Sequence, residues 1–291
     1  MVWKLLMAIK KFVEKTEKNF DVLYIKETGM IYTENSADDG DLAFVIDFSG
    51  NCTFNHTIFR SSAPFIIGTE KNNHLNSVDL GLIELYLPYA LLPYYARRYN
   101  KCFAISHFAQ TLDGRIASKS GSSKWIGNEE NLVHAHRMRA MCDAILIGSG
   151  TLYRDNPRLN VRLVEGTDPK KVILGKVGHK KDHYIALDDS TIVFEKGTND
   201  SPYIKCKDIL DSLYQKSIYS VYIEGGAKTT SSFLKSGTID QVQIHISTKI
   251  IGAGVAAFSF DGISDIDKSI RFTNNRFIKV GEEIMFIGNL K

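Results

Sequence analysis

Apolar residues follow two different rhythms along this chain, and the change comes near residue 100. Residues 2–20 repeat Leu5, Ile9, Phe12 and Val13 at helical spacing. Lys10, Lys11, Glu14, Lys15, Glu17 and Lys18 fall between them, which predicts an amphipathic helix. Residues 21–26 and 42–48 read as strands separated by a polar loop over 35–41, and residues 63–68 read as a third strand. Residues 80–99 are rich in Leu and Tyr but carry Pro88 and Pro93. The prolines predict an interrupted segment that wraps a surface or joins two parts, rather than one straight helix.

From Cys102 onward, short apolar runs alternate with helical stretches, the pattern of an α/β sheet. Strands are expected at 103–106, 144–147, 171–174 and 221–223, and helices from near Asn128, over 208–216 and over 227–234. Asn128 is a good N-cap with Glu129 and Glu130 behind it, and on that helix Arg139 shares a face with Leu132, Ala135 and Cys142. Residues 144–147 are continuously apolar, as a parallel strand buried on both faces should be, and the stretch from Gly148 to Arg162 reads as a loop at its carboxyl end. Residues 241–247 alternate Val242, Ile244 and Ile246 with Gln241, Gln243 and His245, predicting a half-buried strand whose histidine faces solvent. Residues 277–280 and 284–287 close the chain as a hairpin through Gly281. Two domains are therefore expected: an α+β segment over 1–100 and an α/β domain over 101–291.

Composition narrows the function classes. A hydrophobic share of 44% supports a full core. The formal charge of +3 is mild and its basic residues are interleaved with acidic ones, so no nucleic-acid surface is expected. Four separated cysteines form no CxxC pair, which gives neither a zinc knuckle nor a disulfide framework and suits a cytoplasmic protein. Cys52 and His56 lack a second ligand pair. Residues 1–12 are broken by Lys4, Lys10 and Lys11 and make a poor signal peptide. No uncharged run approaches the roughly 18 residues of a membrane span, so no membrane partner is expected.

Two stretches carry candidate chemistry. A strand ending at Glu224 runs into Gly225-Gly226 and a helix start, where backbone N–H groups can cradle a phosphate. Arg139, on a stripe of small apolar residues, either reaches water or meets an anion.

Together these residues resemble the reductase domain of the bifunctional deaminase/reductase family of riboflavin biosynthesis. The resemblance covers about residues 102–289 and rests on six motifs in the family's order: TLDGRIA (111–117), SGSSKW (120–125), HRMRAMCDAILIGSGT (136–151), RDNPRLNVR (154–162), IEGG (223–226) and TKIIGAG (248–254). It implies a dihydrofolate-reductase-like fold, a mixed and mostly parallel sheet flanked by helices, and a homodimer. The implied reaction reduces the ribosyl group of a 5-amino-6-(ribosylamino)pyrimidine 5′-phosphate to ribityl with NADPH. Ser123, Arg139, Leu159, Arg162 and Glu224 would then touch the substrate. Ala109, Trp125, Thr151, Asp155, Gly225, Gly226, Ala227, Lys228, Thr229, Thr230, Ser231 and Ser232 would hold the cofactor. Asp155, Glu224 and solvent are the candidate proton donors. Two departures stand out. Residues 1–100 lack the H-x-E … P-C-x-x-C zinc signature, so deamination is not expected. Gly175-Lys176 replaces the family's usual Asp-Ser, which puts Lys176 forward as a contact to the 2′-phosphate of NADPH. Two rival readings are a same-fold reductase for another pterin or pyrimidine and a ligand-binding relative without turnover.

Overall fold

A computed structural model describes residues 1–34, 42–53, 56–70, 75–178, 184–195 and 205–291; the polar loop expected over 35–41 lies outside them. The chain divides into two compact units, Met1–Asn100 and Lys101–Lys291. No helix among the described residues is long and apolar enough to cross a membrane.

The first unit contains α1 (Val2–Lys15), β1 (Val22–Lys26), β2 (Ile31–Tyr32), β3 (Leu42–Asp47), β4 (Ile58–Ala63), β5 (Ile66–Glu70), α2 (Ser77–Ala90) and α3 (Leu92–Tyr99). Its described strands form a separate small sheet in the order β2-β1-β3-β4-β5. The expected strand over 63–68 is instead a hairpin corner, because Phe65 turns left-handed at φ 63° after Pro64. The segment with the prolines is interrupted as expected, into α2 and α3, but it is helical and buried within the first unit instead of wrapping a surface. Pro88 sits in the last turn of α2, and Pro93 falls in the first turn of α3, where its missing N–H has no intrahelical acceptor to lose. Tyr86, Leu87, Tyr89 and Leu92 are buried there.

The second unit holds β6 (Phe103–Gln110), β7 (Arg115–Ser118), α4 (Glu129–Met141), β8 (Ala144–Gly148), α5 (Ser149–Asp155), β9 (Lys170–Leu174), β10 (Ile192–Phe194), α6 (Cys206–Gln215), β11 (Ser220–Ile223), α7 (Ala227–Lys235), β12 (Gln241–Ile246), β13 (Gly254–Ala256), β14 (Phe272–Val280) and β15 (Glu283–Leu290). Eight of its described strands make a sheet in the order β10-β9-β8-β11-β6-β12-β15-β14. The six from β10 to β12 are parallel, and the β15-β14 hairpin closes the edge antiparallel. The fold is the expected mixed, mostly parallel sheet flanked by helices. At the amino edge, Asp143 accepts the N–H groups of Tyr219 and Ser220, and Asp240 accepts that of Ala104. Those carboxylates tie neighbouring strands together where they begin.

Both faces of this sheet are covered, and that corrects the reading of β12. Val242 joins an apolar core with Ala104, Leu146, Val221, Leu213 and Phe233, under α6 and α7. The opposite face meets α4 through polar side chains: Gln241, Gln243 and His245 are buried. His134 pairs with Gln243 at 2.9 Å, His107 with Asn131 at 2.9 Å, and His245 with Glu283 at 2.5 Å. The alternation along β12 therefore separates an apolar interior layer from a polar one, and His245 faces a carboxylate in place of solvent. Polar groups survive burial when they are hydrogen-bonded to one another.

That layer makes the fold acid-sensitive. Burial pushes the pKa values of His107 and His134 down to about 3. Below pH 6.5 an unfolded histidine takes a proton that the folded one refuses, so stability falls as pH drops from about 6.5 toward 3. By pH 5 the loss is about 2 kcal/mol per buried histidine. His134→Gln should remove one such share: urea unfolding at pH 7 and pH 5 should show a smaller acid loss than in the parent, and an equal loss would refute the assignment.

Candidate active site

The sequence places the site by making several parallel strands end together. β6, β8, β9, β11 and β12 all present their carboxyl ends at one edge, the edge where open α/β sheets bind ligands. Asn128 starts α4 as expected, accepting the Asn131 N–H at 2.8 Å. The stretch after β8 is not a continuous loop: it coils into α5 and stops at Asn156, which is left-handed at φ 38°. The spacing gave no periodic apolar signal for a helix of one to two turns.

At the end of β11, Gly225 runs so close to α7 that a Cβ there would lie 2.6 Å from the Cβ of Thr229. Gly226 is the N-cap of the nine-residue α7, and its own Cβ position is 3.4 Å from Thr151 Oγ1, so the starts of α5 and α7 adjoin. The first N–H groups of a helix have no intrahelical partner and suit an anion. The stretch 226–232 expected to hold the cofactor is thus the N-cap and first turns of the helix expected over 227–234. Thr229, Thr230 and Ser231 point inward and are buried, Ser231 Oγ accepting the Ser259 N–H at 2.7 Å. Ser232 Oγ donates to the Lys228 carbonyl, and Ala227 is buried. What this stretch offers a ligand is its leading backbone and the exposed Lys228.

One residue before the glycines, Glu224 is gripped by Arg139. Nε donates to Oε1 at 2.7 Å and Nη2 to Oε2 at 2.6 Å, while Nη1 donates to the Asn160 carbonyl at 3.0 Å. Burial disfavours the guanidinium charge, but Glu224 outweighs it and the Arg139 pKa rises. The sequence had Arg139 and Glu224 both facing substrate; the pair between them was not foreseen. Arg162 is different. Its side chain is exposed, and among the described residues its Nη1 donates to Asn160 Oδ1 at 3.2 Å. Partial burial, then Arg139 and Arg158, lower its pKa, the mark of a cation crowded by cations. Leu159 beside it is buried and left-handed at φ 54°.

The remaining predicted residues lie around this centre. Asp155, the last residue of α5, is exposed, and desolvation raises its carboxyl pKa. Ala109 is half-buried near the end of β6. Ser123 is exposed, and Trp125 is 71% exposed with φ 65°. Lys249 Nζ holds the Trp125 and Ile126 carbonyls at 2.8 and 3.0 Å. Among the described residues no hydrogen bond or ion pair joins Ser123 or Trp125 to the Arg139–Glu224 pair. Lys176 is exposed after β9, where Gly175 has φ 111° and the Lys176 carbonyl accepts the Tyr153 hydroxyl. No cluster of His, Cys, Asp or Glu among the described residues could hold a metal. Sequence reasoning missed His136, Asp168, Lys249 and Tyr153. His136 and Lys249 left a signal, lying inside the motifs at 136–151 and 248–254, while Tyr153 and Asp168 left none.

Known proteins resemble this chain in sequence and in fold. Riboflavin biosynthesis protein RibD of Mycobacterium tuberculosis is 30% identical over 182 residues, 61% of this chain and 51% of its own length. The chain thus spans about half the length of that relative. The 2,5-diamino-6-ribosylamino-4(3H)-pyrimidinone 5′-phosphate reductase of Methanothermobacter thermautotrophicus is 28% identical over 207 residues, 63% of this chain and 95% of its own. A solved Thermotoga maritima diaminohydroxyphosphoribosylaminopyrimidine deaminase/5-amino-6-(5-phosphoribosylamino)uracil reductase superposes with a TM-score of 0.56 at 30% identity, over 72% of this chain and 63% of its own. Residues 103–286 match the model of the RibD C-terminal domain, and the chain belongs to that family.

Proposed function

We propose that this chain is an NADPH-dependent reductase that converts the ribosyl group of a 5-amino-6-(ribosylamino)pyrimidine 5′-phosphate to ribityl. The observation that carries the reading is one of adjacency. A carboxylate with a cationic surround, Glu224 with Arg139 and Arg162, is followed directly by Gly225-Gly226 and the start of α7. A sugar-phosphate site and a diphosphate cradle thus share one strand end. The archaeal reductase, matched over 95% of its length, supports the substrate class.

The glycine turn suits a dinucleotide through the leading N–H groups of α7, which lie close against the end of β11 because Gly225 has no Cβ to meet Thr229. When bound, NADPH supplies the hydride. The protein's own part is positioning. Arg162 and, behind it, Arg139 hold the phosphate end, and Leu159 and Ser123 bound the substrate. Thr151, Ala109, Trp125, Lys228 and the start of α7 bound the cofactor. As C1 of the sugar gains hydride, its bond to the ring oxygen breaks and that oxygen needs a proton. Both Glu224 oxygens are taken by Arg139, which leaves Asp155, whose carboxyl pKa burial raises, and solvent to deliver it. Deamination forms no part of the proposal, since residues 1–100 lack the zinc signature.

The direct test is NADPH oxidation with the deaminated and the undeaminated pyrimidine phosphate; oxidation with neither would sink the proposal. Arg162→Ala should raise the substrate KM roughly 10- to 150-fold, the worth of about 1.5–3 kcal/mol of charge-assisted bonding, and leave the NADPH KM unchanged. Arg139→Ala is a poorer probe, because it strands the Glu224 carboxylate. Gly225→Ala should weaken NADPH binding by about tenfold or more in a titration, with the substrate KM little changed; unaltered NADPH affinity would remove the cradle from the site. Lys176→Ala should lower the preference for NADPH over NADH, and an unaltered ratio would free Lys176 from the 2′-phosphate.

A further inference from the structure

Three consecutive backbone groups in the loop that presents Arg162 are each held by a side chain. The Asn160 carbonyl accepts Arg139 Nη1 at 3.0 Å, the Val161 N–H donates to Asp168 Oδ1 at 2.7 Å, and the Arg162 N–H donates to His136 Nδ1 at 3.1 Å. Two of these side chains come from α4, one turn apart, and the third from the loop's own return. The loop also lies flat on α4: a Cβ at Gly166 would sit 2.5 Å from the Ala140 Cβ. The backbone is fixed, yet the Arg162 guanidinium stays exposed and, among the described residues, donates to Asn160 Oδ1 alone.

His136 is wholly buried. To accept an N–H at Nδ1 the ring must be neutral with its proton on Nε2. Burial, reinforced by Arg139 and Arg162, pushes its pKa down to about 4, which keeps the acceptor available near neutrality. Nε2 meets no acceptor among the described residues, so holding the Arg162 amide is the one polar task its surroundings give the ring. A phosphate that meets a loop already ordered does not spend binding energy on ordering it.

We propose that His136 is a positioning residue for the substrate phosphate: through Nδ1 it fixes the Arg162 backbone, so that the guanidinium is aimed before the anion arrives. The inference rests on the reading of Arg162 as the phosphate ligand.

The test uses the full chain and three variants. His136→Leu removes the acceptor, His136→Asn puts Oδ1 near the place of Nδ1, and His136→Gln carries its acceptor out toward the place of Nε2. In the unliganded protein, hydrogen exchange at the Arg162 amide should speed up about tenfold or more in His136→Leu and return toward the parent in His136→Asn. The KM for the phosphorylated pyrimidine should rise about tenfold in His136→Leu, recover in His136→Asn, and stay within about twofold for NADPH and for the same pyrimidine lacking its phosphate. Unchanged exchange and KM in His136→Leu would overturn the proposal. So would an equal rise for NADPH, or a failure of His136→Asn to recover. If His136→Leu does not fold, the contrast decides in its place: Gln impaired and Asn normal supports the proposal, and Gln equal to Asn overturns it. If the parent oxidises no NADPH with any pyrimidine, the functional reading fails, and the amide exchange alone decides whether His136 holds Arg162.

Discussion

The ion pair between Arg139 and Glu224 is the contact on which the rest of the site depends. It is bidentate, both side chains are largely buried, and it joins the C-terminal half of α4 to the carboxyl end of β11. A pair of this kind adds little net stability over an apolar substitute, but breaking it costs about 3–5 kcal/mol because one charge is left stranded in a poor dielectric. Its value is therefore geometric. It fixes the strand end from which Gly225 and Gly226 turn into α7, and through Nη1 it also holds the loop that carries Arg162. A single guanidinium thus ties together the carboxylate, the glycine turn and the cationic loop.

α4 can serve in this way because its faces do different work. His134 and Asn131 reach the buried polar layer of β12 and β6, while His136 and Arg139 reach the loop after α5. That division explains why its apolar periodicity is weak. A helix that buries hydrogen bonds on one side and charge on another does not show one clean hydrophobic stripe. It also locates the origin of the acid sensitivity, since the histidines that bind the helix to the sheet are those whose protonation burial forbids.

Much of the scaffold was legible in the sequence because it depends on local rules. Asn128 caps α4 by a side-chain hydrogen bond, residues 144–147 are apolar on both faces, and the Gly225-Gly226 pair marks a strand turning into a helix. The misreadings arose where tertiary context overrides local preference. β12 looks half-exposed because its polar side chains alternate, yet they are buried through partners up to 109 residues away. Pro88 and Pro93 do divide their segment into two helices as expected, but the local pattern did not show that both helices are buried in the first unit. For the site, residue identities were legible, and their partners were not. Arg139 was visible as a cation on a small-residue face, but only the fold could show that its guanidinium is already engaged by Glu224.

The two loops beside the site share one physical design. In both, side chains from elsewhere take hold of backbone groups and leave a functional side chain outward. Lys249 binds the carbonyls of Trp125 and Ile126, and Arg139, Asp168 and His136 bind residues 160–162. The arrangement carries a cost, because Trp125 and Leu159 are held in the left-handed region at φ 65° and 54°, a conformation worth about 1–2 kcal/mol against an L-residue. Strain of that size persists only when the surroundings over-determine it, and here the clamps supply the over-determination. The return on that strain is entropic. A hydride transfer gains most from reactants held still, and ligands that meet pinned loops keep more of their binding energy for alignment of the reacting atoms. The fold thus places its rigidity in clamped backbone groups and leaves the side chains of Trp125 and Arg162 exposed, where the proposed cofactor and substrate would meet them.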